Sequence, residues 1–210
     1  MTKVLIVDDH AVVREGLKQI LADAPDAVVV GEAATGEEAL ERVVSEHYDV
    51  VVLDISLPDM SGLEVLKQIR DLRPQLAVLI LTIHPEEQYA VRVLQAGASG
   101  YMTKETAPDE LTAAIKKVAG GGKYVSPTLA EKLAFSLGPK AKAVPHEALS
   151  DREFEVLCMM ASGKTTTQIA GELHLNKKTI STYRRRIMDK MGMETNVELI
   201  RYAIENKLVN

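Results

Sequence analysis

Residues 50–54 read Val-Val-Val-Leu-Asp, an unbroken aliphatic run that ends in a carboxylate, and this stretch decides the fold. Three comparable runs occupy Val4–Val7, Val28–Val30 and Ala77–Leu81, and a weaker one occupies Gly100–Met102. Aliphatic runs without polar alternation predict strands that are buried on both faces, which is typical of a parallel sheet.

Segments with helical periodicity separate these runs. Their apolar side chains recur every three or four residues, at Val13, Leu17, Ile20 and Leu21, at Leu63, Leu66 and Ile69, and at Val91 and Leu94. Strand and helix alternate five times, so we predict a flavodoxin-like (βα)5 domain, an α/β fold in which helices cover both faces of a doubly wound parallel sheet. The expected strand order is 2-1-3-4-5.

The composition is that of ordinary globular protein. Of 210 residues, 46% are hydrophobic and 26% are charged, and the length allows two domains. No apolar stretch approaches the ~18 residues of a membrane span, and the N-terminus has no signal-peptide pattern, so we expect a cytoplasmic protein without a membrane partner. Cys158 is the single cysteine, which excludes a disulfide framework and a cysteine zinc site.

Small residues and prolines divide the chain. Gly120-Gly121-Gly122 ends the last helix of the first domain, and residues 138–145 contain two prolines and no apolar periodicity. Ser150 and Glu153 then form the capping-box pattern of a helix start, and the remainder predicts four helices and no strand. We place the first domain at residues 1–121, a linker with a short helix near Pro127–Leu137 at residues 122–147, and an all-α second domain at residues 148–210.

The two domains differ in charge. Residues 1–119 carry 11 basic and 20 acidic side chains, whereas residues 149–210 carry 10 and 8. An acidic surface repels nucleic acid, so a nucleic-acid partner is expected only for the second domain.

Charged and hydroxyl side chains follow the predicted strands where each strand ends. Asp8 and Asp9 follow the first strand, Asp54 the third, Thr82 the fourth and Lys104 the fifth. Because the carboxyl ends of parallel strands share one edge of the sheet, we expect these five side chains to meet there. Each of them alone would be an ordinary turn, cap or surface residue, and only their joint placement indicates a site.

The residue types at this edge predict a phosphoacceptor site. Three neighbouring carboxylates need a cation, and oxygen ligands without His or Cys favour Mg²⁺. Lys104 would supply a fixed positive charge, and the metal and the lysine together would stabilise the equatorial oxygens of a phosphoryl group during in-line transfer. Asp54 is then the expected nucleophile, with Asp8 and Asp9 beside the metal and Thr82 placed to bind the phosphate.

The second domain contains a helix-turn-helix pattern. Residues 166–173 and 177–190 have helical spacing, and Asn176 can cap the second of these helices. One face of the second helix is apolar, at Ile180, Tyr183, Ile187 and Met191, and another is polar, at Lys178, Ser181, Thr182 and Arg185. Six of its side chains are basic and one is acidic, which suits the major groove of double-stranded DNA. One such helix contacts few bases, so we expect a homodimer on DNA when the chain is phosphorylated.

Residues 1–120 resemble the receiver domain of two-component response regulators. The resemblance rests on Val7-Asp8-Asp9-His10, on the stretch from Leu53-Asp54 to Ser61-Gly62, on Leu81-Thr82 and on Gly100-Tyr101-Met102-Thr103-Lys104. It implies that a sensor histidine kinase phosphorylates Asp54, that the Ser56 carbonyl joins the Mg²⁺ ligands, and that Tyr101 forms a switch pair with Thr82. It also implies a phosphoacceptor switch, not an enzyme in the usual sense, whose catalysis is limited to its own phosphorylation and dephosphorylation, and in which Ser56 and His84 tune the phosphate lifetime.

Residues 149–192 resemble the LuxR-type output domain, through Leu149-Ser150-Asp151-Arg152-Glu153, Ile169-Ala170 and Lys178–Tyr183. A receiver followed by this output defines the NarL/FixJ family, which implies a transcription regulator that acts on RNA polymerase. The family pattern implies base contacts by Ser181, Thr182 and Arg185, phosphate contacts by Thr166, Lys178 and Thr179, and dimerisation through a last helix at about Val197–Asn206. Ser181 and Tyr183 depart from the Lys and His that are frequent in relatives, so the preferred DNA sequence is a separate question.

Other functions fit parts of the pattern. A haloacid-dehalogenase-like phosphohydrolase also forms an aspartyl phosphate on a parallel sheet, but it needs a second acid two residues after the nucleophile, where this chain has Ser56. A switch whose second domain binds a protein would need an interaction face without the basic bias of residues 177–190. A sigma-factor-like region is an alternative for residues 148–210 taken alone.

Overall fold

The computed structural model describes residues 1–22, 29–105, 108–127, 129–131, 144–206 and 208–209. The chain divides into two compact units, Met1–Glu131 and Lys132–Asn210. Within the described ranges, every helix is too short or too polar to cross a bilayer.

The first unit alternates strands with helices. The strands are β1 (Lys3–Val7), β2 (Val29–Ala33), β3 (Val50–Leu53), β4 (Ala77–Thr82) and β5 (Gly100–Thr103), and the helices are α1 (Ala11–Ala22), α2 (Gly36–Ser45), α3 (Gly62–Leu72), α4 (Glu86–Gln95) and α5 (Pro108–Ala119). The strands pair in parallel in the order β2-β1-β3-β4-β5. The predicted fold and strand order are therefore confirmed, while Val28 lies outside the described residues.

The sheet is buried from both sides because its strands carry aliphatic side chains on both faces. Val4 and Ile6 of β1 pack on one face with Leu17 of α1 and Ile115 of α5. Successive side chains of a strand alternate between faces, so Leu5 points the other way, toward the layer that contains α2. Each fully buried aliphatic side chain of this kind stabilises the fold by ~1.5–3 kcal/mol.

The chain after α5 stays with the first unit. Tyr124 forms a parallel bridge with Gly100 of β5, and Leu129 is buried. We expected a linker from residue 122, and within that range Tyr124 and Leu129 make contacts that no apolar periodicity predicts. Of the predicted short helix, Pro127 and residues 129–131 are helical and the rest lies outside the described residues. The exact domain boundaries stay a prediction.

The second unit is helical where it is described. A 3₁₀ helix at Pro145–Ala148 is followed by α6 (Asp151–Ala161), α7 (Thr166–Glu172), α8 (Lys177–Met191) and α9 (Asn196–Glu205). Ser150 and Glu153 form the predicted capping box, and Asn176 Oδ1 accepts a hydrogen bond of 2.7 Å from the Thr179 N–H. The four predicted helices are confirmed, and Cys158 is buried in α6 as expected.

The loop between β3 and α3 is fixed to the start of α2. Asp59 accepts hydrogen bonds of 2.9 Å from the backbone N–H groups of both Gly36 and Glu37. These N–H groups belong to the first turn of α2, where no helical carbonyl is available to them, so Asp59 caps the helix from a distant loop. Burial alone would raise the pKa of Asp59, but the N–H groups that it accepts from hold the pKa below its ordinary value.

We expect Asp59→Ala to lower the free energy of unfolding of the first unit by about 1 kcal/mol at neutral pH, because two N–H groups lose their acceptor. Since the folded-state pKa of Asp59 is lowered, its contribution is present above the unfolded-state pKa and is lost as the pH falls through the folded-state pKa. Urea unfolding at neutral and acidic pH, followed by hydrogen exchange in peptides that contain Gly36 and Glu37, measures both effects. Asp71→Ala on the exposed side of α3 is the control and should change stability by less than about 0.5 kcal/mol. Equal losses in both variants would contradict the capping role.

Candidate functional site

The strand ends place the predicted acids at one edge of the sheet. Asp8 follows β1 and Asp54 follows β3, and the two strands pair with Val7 opposite Leu53. The Asp54 N–H donates to the Val7 carbonyl at 2.9 Å, and the Asp8 N–H donates to the Ala33 carbonyl at 3.2 Å. Both acids are almost inaccessible, with 2% of Asp8 and 3% of Asp54 exposed. The sheet therefore holds two carboxylates side by side and out of water.

Lys104 binds both of these carboxylates. Its Nζ lies 2.6 Å from Asp8 Oδ2 and 2.6 Å from Asp54 Oδ2. Strand β5 brings the lysine there, because Thr103 pairs with Thr82 and the Lys104 N–H donates to the Thr82 carbonyl at 2.8 Å. One ammonium group thus compensates two buried charges, and its removal would leave them unopposed.

Burial sets the charge balance of the site. It raises the pKa of Asp54 above its ordinary value; Lys104 opposes the rise and the Asp8 charge adds to it. Burial also acts to lower the pKa of Lys104, but the two carboxylates raise it above its ordinary value, so the ammonium group stays charged. Ionisation of Asp54 therefore costs free energy, and a further cation beside the carboxylate would reduce that cost.

The acids fit a hard divalent cation such as Mg²⁺. Asp9 Oδ1 is enclosed and accepts no well-aligned hydrogen bond within the described part of the chain, although His10 Nδ1 lies 2.6 Å from it. An enclosed carboxylate oxygen needs a hydrogen-bond donor or a cation beside it, a position that His10 Nδ1 occupies here and that a metal ion could share. The Ser56 N–H is 3.4 Å from Asp54 Oδ1, so the Ser56 peptide lies beside the Asp54 carboxylate. Asp8, Asp9 and His10 offer possible ligand atoms within 4.8 Å of one another, and Lys104 joins Asp8 to Asp54, so the full ligand set of Asp8, Asp9, Asp54 and Ser56 stays a prediction.

Thr82 and Tyr101 lie on the adjacent strands β4 and β5, and both are buried. Thr82 Oγ1 is enclosed and makes no well-aligned hydrogen bond to the described residues, although it lies close enough to the Asp54 carboxylate to stabilise its charge. The Tyr101 hydroxyl donates to the His84 carbonyl at 2.8 Å. The phenol thus holds the loop that begins directly after Thr82.

A contact that the sequence did not predict joins Ser56 to His84. Ser56 Oγ and His84 Nε2 are 3.0 Å apart, and the His84 ring lies 4.7 Å from the Tyr89 ring of α4, measured between centroids. On the other side of the site, a Cβ added to Gly62 would lie 2.1 Å from the Asp54 carbonyl oxygen, so only glycine lets α3 begin this close to the acid. The loops after β3 and β4 therefore meet beside Asp54.

His10 also lies at the site, with its Nδ1 2.6 Å from Asp9 Oδ1. Its place was not predicted, since a histidine next to two acids forms no metal-binding motif by itself.

The helix-turn-helix pattern forms as predicted. The turn after α7 contains His174 at a φ of 51°, and it closes with a hydrogen bond of 2.9 Å from the Leu175 N–H to the Ala170 carbonyl. The apolar stripe of α8 faces the core, with Ile180, Ile187 and Met191 buried and Tyr183 half-buried. The opposite face of α8 therefore points outward.

The outward face of α8 is basic. Five cationic side chains are exposed and pair with no carboxylate of the described residues: Lys177, Lys178, Arg184, Arg185 and Arg186. The sixth, Lys190, lies 2.6 Å from Glu153 Oε2 and ties α8 to α6. Exposed cations without internal partners are suited to the phosphates of a nucleic acid.

The residues predicted to contact DNA lie on or beside this face. Ser181, Thr182, Arg185 and Lys178 are exposed, and Thr166 and Thr179 are partly exposed at the starts of α7 and α8. The hydroxyls of Ser181 and Thr182 donate to the carbonyls of Lys177 and Lys178 at 2.9 and 3.0 Å, so they must rotate to reach a base. The division of these six residues between bases and phosphates stays a prediction.

Two protein families match the chain, one for each unit. Residues 4–116 match the family described as "Response regulator receiver domain", and residues 147–203 match "Bacterial regulatory proteins, luxR family". Together the two matches span most of the chain and cover both groups of predicted site residues.

Full-length relatives contain both parts. "Response regulator UvrY" of Escherichia coli (strain K12) is 37% identical over 211 residues, which cover 100% of this chain and 97% of UvrY. The structure of RcsB from Salmonella enterica serovar Typhimurium bound to promoter rprA with the phosphomimetic BeF3− is similar, with a TM-score of 0.62, 28% identity and coverage of 96% of this chain and 98% of RcsB. A structure of two RcsB dimers bound to two parallel DNAs matches with a TM-score of 0.59, 27% identity and coverage of 100% and 99%.

Asp54→Asn should raise the free energy of unfolding of the first unit at neutral pH, in EDTA, by on the order of 1 kcal/mol. Because the folded-state pKa of Asp54 is raised, the folded wild type binds this proton more tightly than the unfolded chain does, and stability falls as the pH rises from the unfolded-state pKa through the folded-state pKa. The neutral amide lacks this loss, so the two proteins should converge at acidic pH. Urea unfolding across the pH range measures the difference.

Lys104→Met is the matched variant, and it should change the free energy of unfolding in the opposite direction. It leaves two buried carboxylates without their cation and should therefore destabilise the unit at neutral pH. A loss of stability at neutral pH in Asp54→Asn would show that the lysine compensates the acids fully, against our description of the site.

Proposed function

The chain belongs to the NarL/FixJ family of two-component response regulators, and on that premise we propose that Asp54 is the phosphoacceptor through which a sensor histidine kinase controls DNA binding. The family makes the chain a transcription regulator with a receiver and a DNA-binding domain rather than a classical enzyme. The observation that carries the assignment is the setting of Asp54, which is buried at the end of β3 and bound to Lys104 among acids that fit a divalent cation.

The contacts of Asp54 orient it for phosphoryl transfer. Its Oδ1 accepts a hydrogen bond of 2.6 Å from the Ile55 N–H, while Oδ2 lies against Lys104. In the transfer, an Asp54 oxygen bonds to phosphorus as the bond from phosphorus to the kinase histidine nitrogen breaks. Lys104 then stabilises charge on the phosphoryl oxygens, and the enclosed Thr82 hydroxyl finds a hydrogen-bond partner in the phosphate.

Mg²⁺ would be held by Asp8, Asp9, Asp54 and the Ser56 carbonyl. When bound, it supplies positive charge to the phosphoryl oxygens. The support is the grouping of Asp8, Asp9 and His10, whose possible ligand atoms lie within 4.8 Å of one another, and the raised pKa of Asp54, which burial causes and which Lys104 only partly offsets. We further propose that the chain catalyses its own phosphorylation and the attack of water on the acyl phosphate, with Ser56 and His84 at the approach to the phosphorus.

Thr82 and Tyr101 form the proposed switch. A hydrogen bond from Thr82 to the phosphate would move the loop that follows it, and the Tyr101 hydroxyl is bound to that loop at the His84 carbonyl. A change at Asp54 would therefore reach a residue of β5 through one loop.

The proposed output is a homodimer that places two α8 helices in successive major grooves. The support is the basic outward face of α8 and the similarity to RcsB, whose solved structures include dimers on DNA. We propose that the receiver domain spans residues 1–121, the linker residues 122–147 and the DNA-binding domain residues 148–210. We also propose that the protein acts in the cytoplasm and that its eventual partner is RNA polymerase.

Phosphorylation provides the direct test. Incubation of the full chain with Mg²⁺ and acetyl phosphate should add one phosphoryl group to the wild type and none to Asp54→Asn, as measured by intact-protein mass spectrometry. Excess EDTA should abolish the addition, because the charge on the phosphoryl oxygens would be left without its metal.

Asp59→Asn is the matched control for this measurement, since Asp59 lies in the same loop but its carboxylate binds α2. It should be phosphorylated like the wild type. Equal mass increases in the wild type and in Asp54→Asn would sink the assignment, and phosphorylation that persists in EDTA would remove the metal from it.

Arg185 and Lys178 should affect DNA binding in different ways. Arg185 lies one turn beyond Ser181 on the outward face, where a guanidinium group can donate two hydrogen bonds to guanine, so Arg185→Ala should cost ~1–3 kcal/mol and relax preference at one base position per half-site. Lys178 lies in the first turn of α8, where a cation meets a phosphate, so Lys178→Ala should weaken all sequences alike and lower the salt slope by ~0.9. Binding of the phosphorylated full chain to a randomised duplex library at several salt concentrations measures both quantities.

Arg186→Ala is the control for a general loss of charge, because Arg186 is exposed on α8 to the side of the proposed base-reading face. It should not change base preference. If Lys178→Ala changes base preference while Arg185→Ala leaves it intact, the two roles are reversed, and if no variant matters α8 is not the recognition helix.

A further inference from the structure

The segment that follows α5 is hydrogen-bonded to strand β5. The Tyr124 N–H donates to the Ser99 carbonyl at 2.9 Å, and the Tyr124 carbonyl accepts from the Tyr101 N–H at 3.1 Å. The approach is close, since a Cβ added to Gly100 would lie 2.6 Å from the Tyr124 carbonyl oxygen. The Tyr101 backbone is therefore bound to the segment that leads out of the first unit.

The same segment is also attached to α4. Ser126 Oγ donates a hydrogen bond of 2.6 Å to Glu86 Oε2, and it accepts one of 3.1 Å from the Leu129 N–H. Leu129 is 1% exposed, so its side chain anchors the segment beyond Ser126. Glu86 is the first residue of α4 and follows Pro85, which occupies the N-cap position without a side-chain hydrogen bond.

These attachments involve the two elements that carry the proposed switch. The Tyr101 side chain binds the His84 carbonyl at 2.8 Å, two residues before Glu86, while its backbone binds Tyr124. Ser126 binds Glu86. Tyr101, the loop before α4, Glu86, Ser126 and Tyr124 thus form a closed ring of contacts, so a movement of the β4–α4 loop strains or breaks a contact of this ring.

We propose that residues 123–126 are a relay that passes the phosphorylation state of Asp54 from β5 and α4 to the chain leading into the second unit, with Ser126 and Glu86 as positioning residues. The inference rests on the proposed function of Asp54 and adds the route by which its state leaves the first unit. A segment that only covers β5 would contribute to stability and leave the phosphorylation dependence of DNA binding unchanged.

A double-mutant cycle in the full chain tests the relay. Ser126→Ala, Glu86→Ala and the double variant are compared with the wild type for three quantities: the extent of phosphorylation by acetyl phosphate with Mg²⁺, the hydrogen exchange of the Tyr101 and Tyr124 amides, and the ratio of DNA affinities with and without phosphorylation. The DNA is a duplex enriched from a randomised library by the phosphorylated wild type. Ser45→Ala is the control, since the Ser45 hydroxyl donates to carbonyls of its own helix, α2.

In both single variants we expect phosphorylation to the same extent as in the wild type and faster hydrogen exchange of the Tyr101 and Tyr124 amides. The ratio of DNA affinities with and without phosphorylation should be at least threefold closer to one than in the wild type. The double variant should be no worse than Ser126→Ala, because that substitution already removes the contact between Ser126 and Glu86. Gly100→Ala leaves the Ser126 and Glu86 side chains in the sequence, but its added methyl group would lie 2.6 Å from the Tyr124 carbonyl oxygen, so it should bring the affinity ratio closer to one in the same way.

An unchanged affinity ratio in variants with faster exchange would overturn the relay and leave the segment a structural cover. Unchanged exchange would overturn the attachment itself. If the wild type itself takes up no phosphoryl group, the proposed role of Asp54 is contradicted instead. Failure of the relay and failure of the proposed function are therefore distinguishable.

Discussion

The contact of one ammonium group with two buried carboxylates is the constraint on which the first unit depends. Lys104 Nζ lies 2.6 Å from both Asp8 and Asp54, which come from the ends of different strands. Only a parallel sheet brings these strand ends to one edge, and only strands buried on both faces keep water from the acids. The same burial that makes Asp54 costly to ionise makes it responsive to any further charge, whether a metal ion or a phosphoryl group. The fold and the chemistry therefore have one physical origin.

The sequence predicted whatever is local or periodic. The strand runs, their order, the capping box of Ser150 and Glu153 and the apolar stripe of α8 follow from residue type and spacing, and the structure contains all of them. Contacts between distant loops were not predicted, because no spacing rule links Ser56 to His84 or Asp59 to the start of α2. The pairing of Tyr124 with β5 was not predicted for the same reason, since a single aromatic residue after three glycines shows no period. The predicted site residues could be grouped from strand ends alone, but the hydrogen bonds among them depend on loop conformations.

The two proposed sites use charge in opposite ways. In the first, the charges of Asp8 and Asp54 are buried and both contact Lys104, so that a change in one group alters the balance of the others. In the second, the cations of α8 are exposed and without carboxylate partners among the described residues, except Lys190, which binds Glu153. Buried charge suits a switch, because desolvation amplifies each interaction, whereas exposed charge suits a surface that must bind and release a polyanion reversibly.

The pairing of Tyr124 with β5 also bears on solubility. An open edge strand presents free N–H and C=O groups to other chains and invites intermolecular strand pairing. Here β5 is the last strand of the sheet, and residues 123–126 occupy part of its outer edge. A fragment that ended at the glycines after α5 would keep every residue of the phosphorylation site and yet expose this edge. Self-association of such a fragment would then reflect a bare strand edge and would carry no information about the dimer that the intact chain forms.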